Sequence, residues 1–138
     1  MQVTAGNVYS GPVDKIESSS DGGTTWTDWG ATADGANVEI NFDPNVTQMG
    51  DGQNLKKFGL FTWKADILET HTSNLSLLQA AESTPVQLRI TGLDGKTYTT
   101  VALLVTHKTK RGFGKDPHMI TAQAQKYAIN EDDILTIV

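Results

Sequence analysis

Four cations crowd one short stretch of this chain. Lys108, Lys110, Arg111 and Lys115 fall within Lys108-Thr109-Lys110-Arg111-Gly112-Phe113-Gly114-Lys115, which contains no acid. Such a cluster has three chemical uses. It clamps the phosphate of a substrate. With Phe113 stacking on a base, it grips single-stranded nucleic acid. Or it meets an acidic patch on a neighbouring copy, which a chain of formal net charge −5 would supply. Without a partner it is a solvated hairpin tip. The other reactive residues do not assemble. His71, His107 and His118 lack metal-ligand spacing, and Glu131-Asp132-Asp133 lacks the alternating ligands and glycine of a calcium loop, so it reads as a solvated acidic turn. Gly92-Leu93-Asp94-Gly95-Lys96-Thr97 ends like a phosphate loop, but the first glycine of that pattern would fall on Ile90. Gly112-x-Gly114 loses its third glycine to Pro117. With no cysteine, disulfide scaffolds, zinc ribbons, iron–sulfur clusters and thiol catalysis are excluded. The expectation is a protein that is not an enzyme, with no cofactor and no metal, in which Lys108, Lys110, Arg111 and Lys115 make inter-subunit contacts.

The sharpest local pattern is Ser19-Ser20-Asp21-Gly22-Gly23-Thr24-Thr25-Trp26, which is similar to the S-x-D-x-G-x-T-W Asp-box of sialidase-like propellers. There the Asp bonds the turn backbone, a Gly takes the awkward dihedral and the Trp packs beneath. A propeller needs several four-stranded blades, so one copy in 138 residues predicts a hairpin turn and nothing about glycans.

The elements around these residues are mostly strands. Val13–Glu17 and Thr24–Trp29 flank the Asp-box turn as a hairpin. After a turn at Ala33-Asp34-Gly35, Val38, Ile40 and Phe42 alternate with polar residues, and Asp43-Pro44-Asn45 ends that strand. Met49–Leu55 reads as a loop. Phe61, Trp63, Ala65 and Ile67 alternate again, the period of two that marks a half-buried strand. One helix is predicted over Ser73–Ser83, capped by Ser73 and stopped by Pro85; at about ten residues it must pack on a sheet to persist. Val86, Leu88 and Ile90 pair across an Asp-Gly turn with a strand running from Tyr98 to Val105. A polar loop from His107 to Pro117, a strand from His118 to Tyr127 and a final apolar strand from Ile134 complete the order.

A chain of 138 residues with 38% hydrophobic and 20% charged residues predicts one domain, residues 1–138, with residues 1–12 as a possible N-terminal arm. Its threonine and glycine content favours β structure. The fold expected is mainly β, a β-sandwich or roll of two sheets with one short α-helix between strands. The acidic balance argues against tight duplex binding. No run approaches the ~18 apolar residues of a membrane span, and Met1–Gly6 lacks the basic and apolar regions of a secretory leader, so a soluble chain is expected.

The layout of the strand Phe61–Ile67, the helix around Leu75–Ala81, the hairpin Val86–Val105 and the long loop before His118–Ala124 resembles the tail tube proteins of tailed bacteriophages and their relatives in contractile injection machines. The resemblance implies a structural virion protein forming homohexameric rings that stack into a tube, a channel for DNA ejection. It implies tape measure, terminator and baseplate proteins as partners, DNA only in transit through the lumen, and no membrane. The chain would sit in the virion tail, and in the host cytoplasm during assembly. An acidic subunit suits that role, because it repels the phosphate backbone. Two other readings share the composition. One is a different ring part of the tail (terminator, completion or baseplate hub protein). The other is a small β-sandwich carbohydrate-binding module using Trp26, Trp29 and Trp63.

Overall fold

Alternation decides most of the strands. The computed structural model describes residues 12–30, 38–69 and 72–138. In chain order it contains β1 (Val13–Ser19), β2 (Thr27–Asp28), β3 (Val38–Gln48), β4 (Asn54–Leu68), α1 (Thr72–Ala81), β5 (Gln87–Gly92), β6 (Thr97–Thr100), β7 (Val105–Lys110), β8 (Met119–Ala128) and β9 (Leu135–Ile137), with a 3-10 turn at Glu131–Asp133. They form two antiparallel sheets, β2-β1-β5-β6-β9 and β3-β4-β8-β7. The fold is therefore mainly β, a two-sheet sandwich with one short helix, as the sequence pattern predicts.

The inward faces meet in one core. Ile16, Leu88 and Ile90 come from the five-stranded sheet, and Phe61, Trp63, Ile67, Val105 and Ile120 from the four-stranded one. Trp29 and Trp63 meet edge to face, with ring centroids 5.6 Å apart and planes at 79°, the arrangement that the ring quadrupole favours. The Trp29 indole N–H donates to the buried Ser18 hydroxyl at 2.7 Å, so its polar atom enters the core satisfied. Helix α1 buries Leu78 and Ala81 and lies against β7.

The structure corrects several boundaries. Tyr98–Val105 is not one strand: β6 ends at Thr100, the chain crosses between sheets, and β7 starts at Val105 in the other sheet. The crossover is tied down by paired backbone hydrogen bonds between Val86 and Leu103, at 2.9 and 2.8 Å. Pro44 does not end β3, because it falls where the register with β4 shifts and needs no ladder donor. Phe58 and Gly59 stand opposite Pro44 as a bulge. A side chain at Gly59 would meet the Asp43 carbonyl and lie 2.9 Å from the Pro44 Cα. The expected Met49–Leu55 loop shrinks to a tight turn, since β4 already begins at Asn54. The expected His107–Pro117 loop starts only after Lys110, because Val105–Lys110 pairs with Met119–Ala124 of β8. The helix begins at Thr72, one residue before the predicted cap Ser73, whose side chain lies outside the described residues. Residues 1–11 of the expected arm, the Ala33–Gly35 turn and His71 also lie outside them. No helix among the described residues is long and apolar enough to cross a membrane.

Candidate functional site

The four cations of the basic stretch divide between two settings. Lys108 and Lys110 stand exposed on β7, which forms one edge of the four-stranded sheet, opposite Thr121 and Met119 of β8. Arg111 is captured by a residue that no local pattern in the sequence would name. Its guanidinium donates to both Glu69 carboxylate oxygens, with Nη2 to Oε2 at 2.6 Å and Nε to Oε1 at 3.0 Å. These hydrogen bonds hold the Glu69 carboxyl below its usual range and raise the Arg111 guanidinium above its own. His118 adds its Nδ1 at 3.5 Å from Glu69, its other ring nitrogen lies 3.1 Å from the Gly112 carbonyl, and the Phe113 ring meets the imidazole edge-on. Glu69 thus pins the base of the 111–118 loop. The tip stays free: Phe113 is 94% exposed and Lys115 is exposed beside it.

The sheet has a second edge at β3, and it is acidic where β7 is basic. Glu39 and Asp43 are exposed there. Between the edges the outward residues are mixed: Thr62 on β4 pairs with Gln125 on β8, Gln123 pairs with Thr106 on β7, and Lys64 and Asp66 of β4 stand opposite Gln123 and Thr121. One sheet therefore carries opposite charge at its two ends across a polar face.

The β3–β4 ribbon adds a third surface, which sequence reading misses. Beyond the bulge, Asn45–Gln48 pairs, among the described residues, only with Asn54–Lys57, whereas β8 joins β4 from Gly59 onward. Every described side chain from Asp43 to Phe58 is exposed, among them Val46, Met49, Leu55 and Phe58, the last at 65%. The turn at its end closes through Met49 N–H to the Gln53 carbonyl at 2.6 Å and Gln53 N–H to the Asp51 carboxylate at 3.0 Å. A lone two-stranded ribbon is marginal in water, so this arm needs a surface to rest on. The advance signals are Pro44 and Gly59 themselves, the residues at which the register shifts.

The Asp-box turn is structural, as expected. Asp21 Oδ1 accepts from the Ser19 hydroxyl at 2.7 Å and from the Thr25 and Thr24 amides at 2.9 and 3.1 Å, which holds its carboxyl at about 2. Gly22 and Gly23 carry φ of 77° and 93°. Trp26 does not pack beneath it into the core. It is half-buried under Arg89, whose guanidinium carbon lies 4.1 Å from the ring centroid while its nitrogens bond Glu17 at 2.9 and 3.1 Å. The residue that enters the core is Trp29. With Trp29 and Trp63 buried, the three tryptophans do not form an exposed aromatic platform. His107 sits 2.9 Å from Glu82, far from any cluster, and the described residues contain no group of three His, Cys, Asp or Glu able to hold a metal. Glu131–Asp133 is an exposed turn whose Asp133 carboxylate accepts from the Asn130 amide. No family model matches the chain, and no curated protein matches it significantly.

Proposed function

We propose that the chain is a structural assembly subunit of the tail-tube type, building homohexameric rings that stack into a channel for DNA passage in a virion tail. The observation that carries this reading is the β3–β4 arm, a ribbon with exposed Val46, Leu55 and Phe58 and, among the described residues, no third strand beside it. Docked on another copy, it gains the apolar contacts that a free ribbon lacks.

The open sheet edges support the same reading. Unpaired edges are an aggregation hazard unless a partner covers them. An acidic β3 edge facing a basic β7 edge is a heterologous contact, which closes into a ring when the rotation permits. Joined so, the four-stranded sheets would present one outward face to a lumen, where Thr and Gln rows are interspersed with Lys64, Lys108 and Lys110 and with the acids Glu39, Asp43 and Asp66. Tape measure, terminator and baseplate proteins are the partners such a tube would meet.

Electron microscopy of the purified chain across a concentration series, with light scattering, tests the proposal. Hollow tubes or stacked six-fold rings are the expected result. Isolated closed rings would move the chain to a terminator, completion or hub position, and a monomer at every concentration would overturn the assembly reading.

A further inference from the structure

The open side of the sandwich at the β3 edge holds a groove of about 300 Å³. Its floor is apolar, with Val38 and Ile40 from β3, Tyr98 from β6 and Leu135 from β9. Among the described residues two acidic ones, Asp94 and Glu131, line it from the five-stranded sheet's side, and no cation does. The opposite edge of the same sheet leads into the loop whose tip is the complement of this groove: one aromatic ring almost wholly in water, Phe113, between Lys110 and Lys115. An exposed large ring beside exposed cations is a poor arrangement for an isolated loop and a good one for an anchor, since interface hot spots are aromatic side chains seated in pockets behind a polar rim.

We infer that Phe113 of one copy seats in the acid-lined groove of the next, with Lys110 and Lys115 facing Asp94 and Glu131. The occupant is a second copy of this chain, and the inference rests on the assembly reading above. Glu69 has the supporting part. By fixing Arg111 and His118 it holds the base of the loop, so that little ordering of that segment remains to be done on docking. Arg111, being occupied, is a positioning residue and not one of the cations that cross the interface.

The absence of native cysteine makes the contact directly testable. Phe113→Cys and Ile137→Cys place single thiols at the loop tip and at the exposed groove wall. Mixed and oxidised, they are expected to give a disulfide-linked heterodimer at least about tenfold more abundant than Phe113→Cys mixed with Ser83→Cys, an exposed control at the end of the helix. Lys110→Glu/Lys115→Glu added to the loop partner lowers the yield, and Asp94→Lys/Glu131→Lys added to the groove partner restores it, a charge swap that a merely structural role would not reproduce. In the otherwise unaltered chain, Phe113→Ala weakens self-association about 30-fold. Equal yields with the control thiol would overturn the inference. If the unsubstituted chain still formed rings, the assembly reading would survive that result; if it stayed monomeric, both would fall. Selective cross-linking of a chain that forms no rings would keep the contact and overturn the ring.

Discussion

The two halves of β4 belong to one continuous strand paired to the same neighbour, yet they live in different environments. From Gly59 to Leu68, every second side chain is buried and β8 covers the other edge. From Asn54 to Phe58 every side chain is exposed and the ribbon has only β3. The bulge at Phe58–Gly59 separates them. Backbone pairing is therefore not what distinguishes core from periphery in this molecule. The third strand and the opposing sheet are, because these remove apolar area from water.

Four variants sharpen or break that contrast, beginning with the largest effect. Trp63→Ala in the inner half removes the ring that meets Trp29 and should cost about 3–5 kcal/mol, read as a lower denaturant midpoint with an unchanged slope. Gly59→Val puts a branched side chain against Asp43 and Pro44 and should cost about 1–3 kcal/mol in the same measurement; an unaffected variant would mean that the bulge relaxes freely.

The third concerns the Asp-box turn. The Asp21 carboxyl, at about 2 against an ordinary 3.8, binds its proton more weakly folded than unfolded, so its ionised form stabilises the fold. That contribution is complete above about pH 4 and disappears as pH falls toward 2. Asp21→Asn should flatten this part of the stability–pH curve, and a curve left unflattened would mean that the turn does not set it. The smallest effect on stability belongs to Leu55→Ser/Phe58→Ser, within about 0.5 kcal/mol of the unaltered chain because both residues are exposed. The same variant should lose assembly in light scattering. If it unfolded as Trp63→Ala does, the arm would belong to the core and the contrast would collapse.

What the sequence discloses follows the same division. Where a segment has one face inward, alternation reveals it: Val38–Phe42, Phe61–Ile67 and Ile120–Ala124 all lie as their spacing predicts. The pattern fails between Tyr98 and Val105 for a physical reason. Both sheets face one interior, so Thr100, Leu103 and Val105 keep turning inward while the chain changes sheets, and a period of two cannot register the crossing. The arm carries no alternation because neither of its faces is buried, which leaves it looking like a loop. Of the candidate contact residues, the cations were visible as a run, but the capture of Arg111 was not, since Glu69 lies 42 positions away.

The sheet order also sets a timetable. Val46 and Lys56 pair across one tight turn, whereas Glu17 must find Arg89 across 72 positions before β1 can join β5. Loop-closure entropy favours the short search, so the β3–β4 ribbon is expected to form well ahead of the five-stranded sheet, an order that pulsed hydrogen exchange during refolding would read as early protection confined to residues 38–68. The segment proposed to join subunits would then exist before the subunit does. Newly made chains would meet arm first, which would leave a race between completing the sandwich and mating too soon.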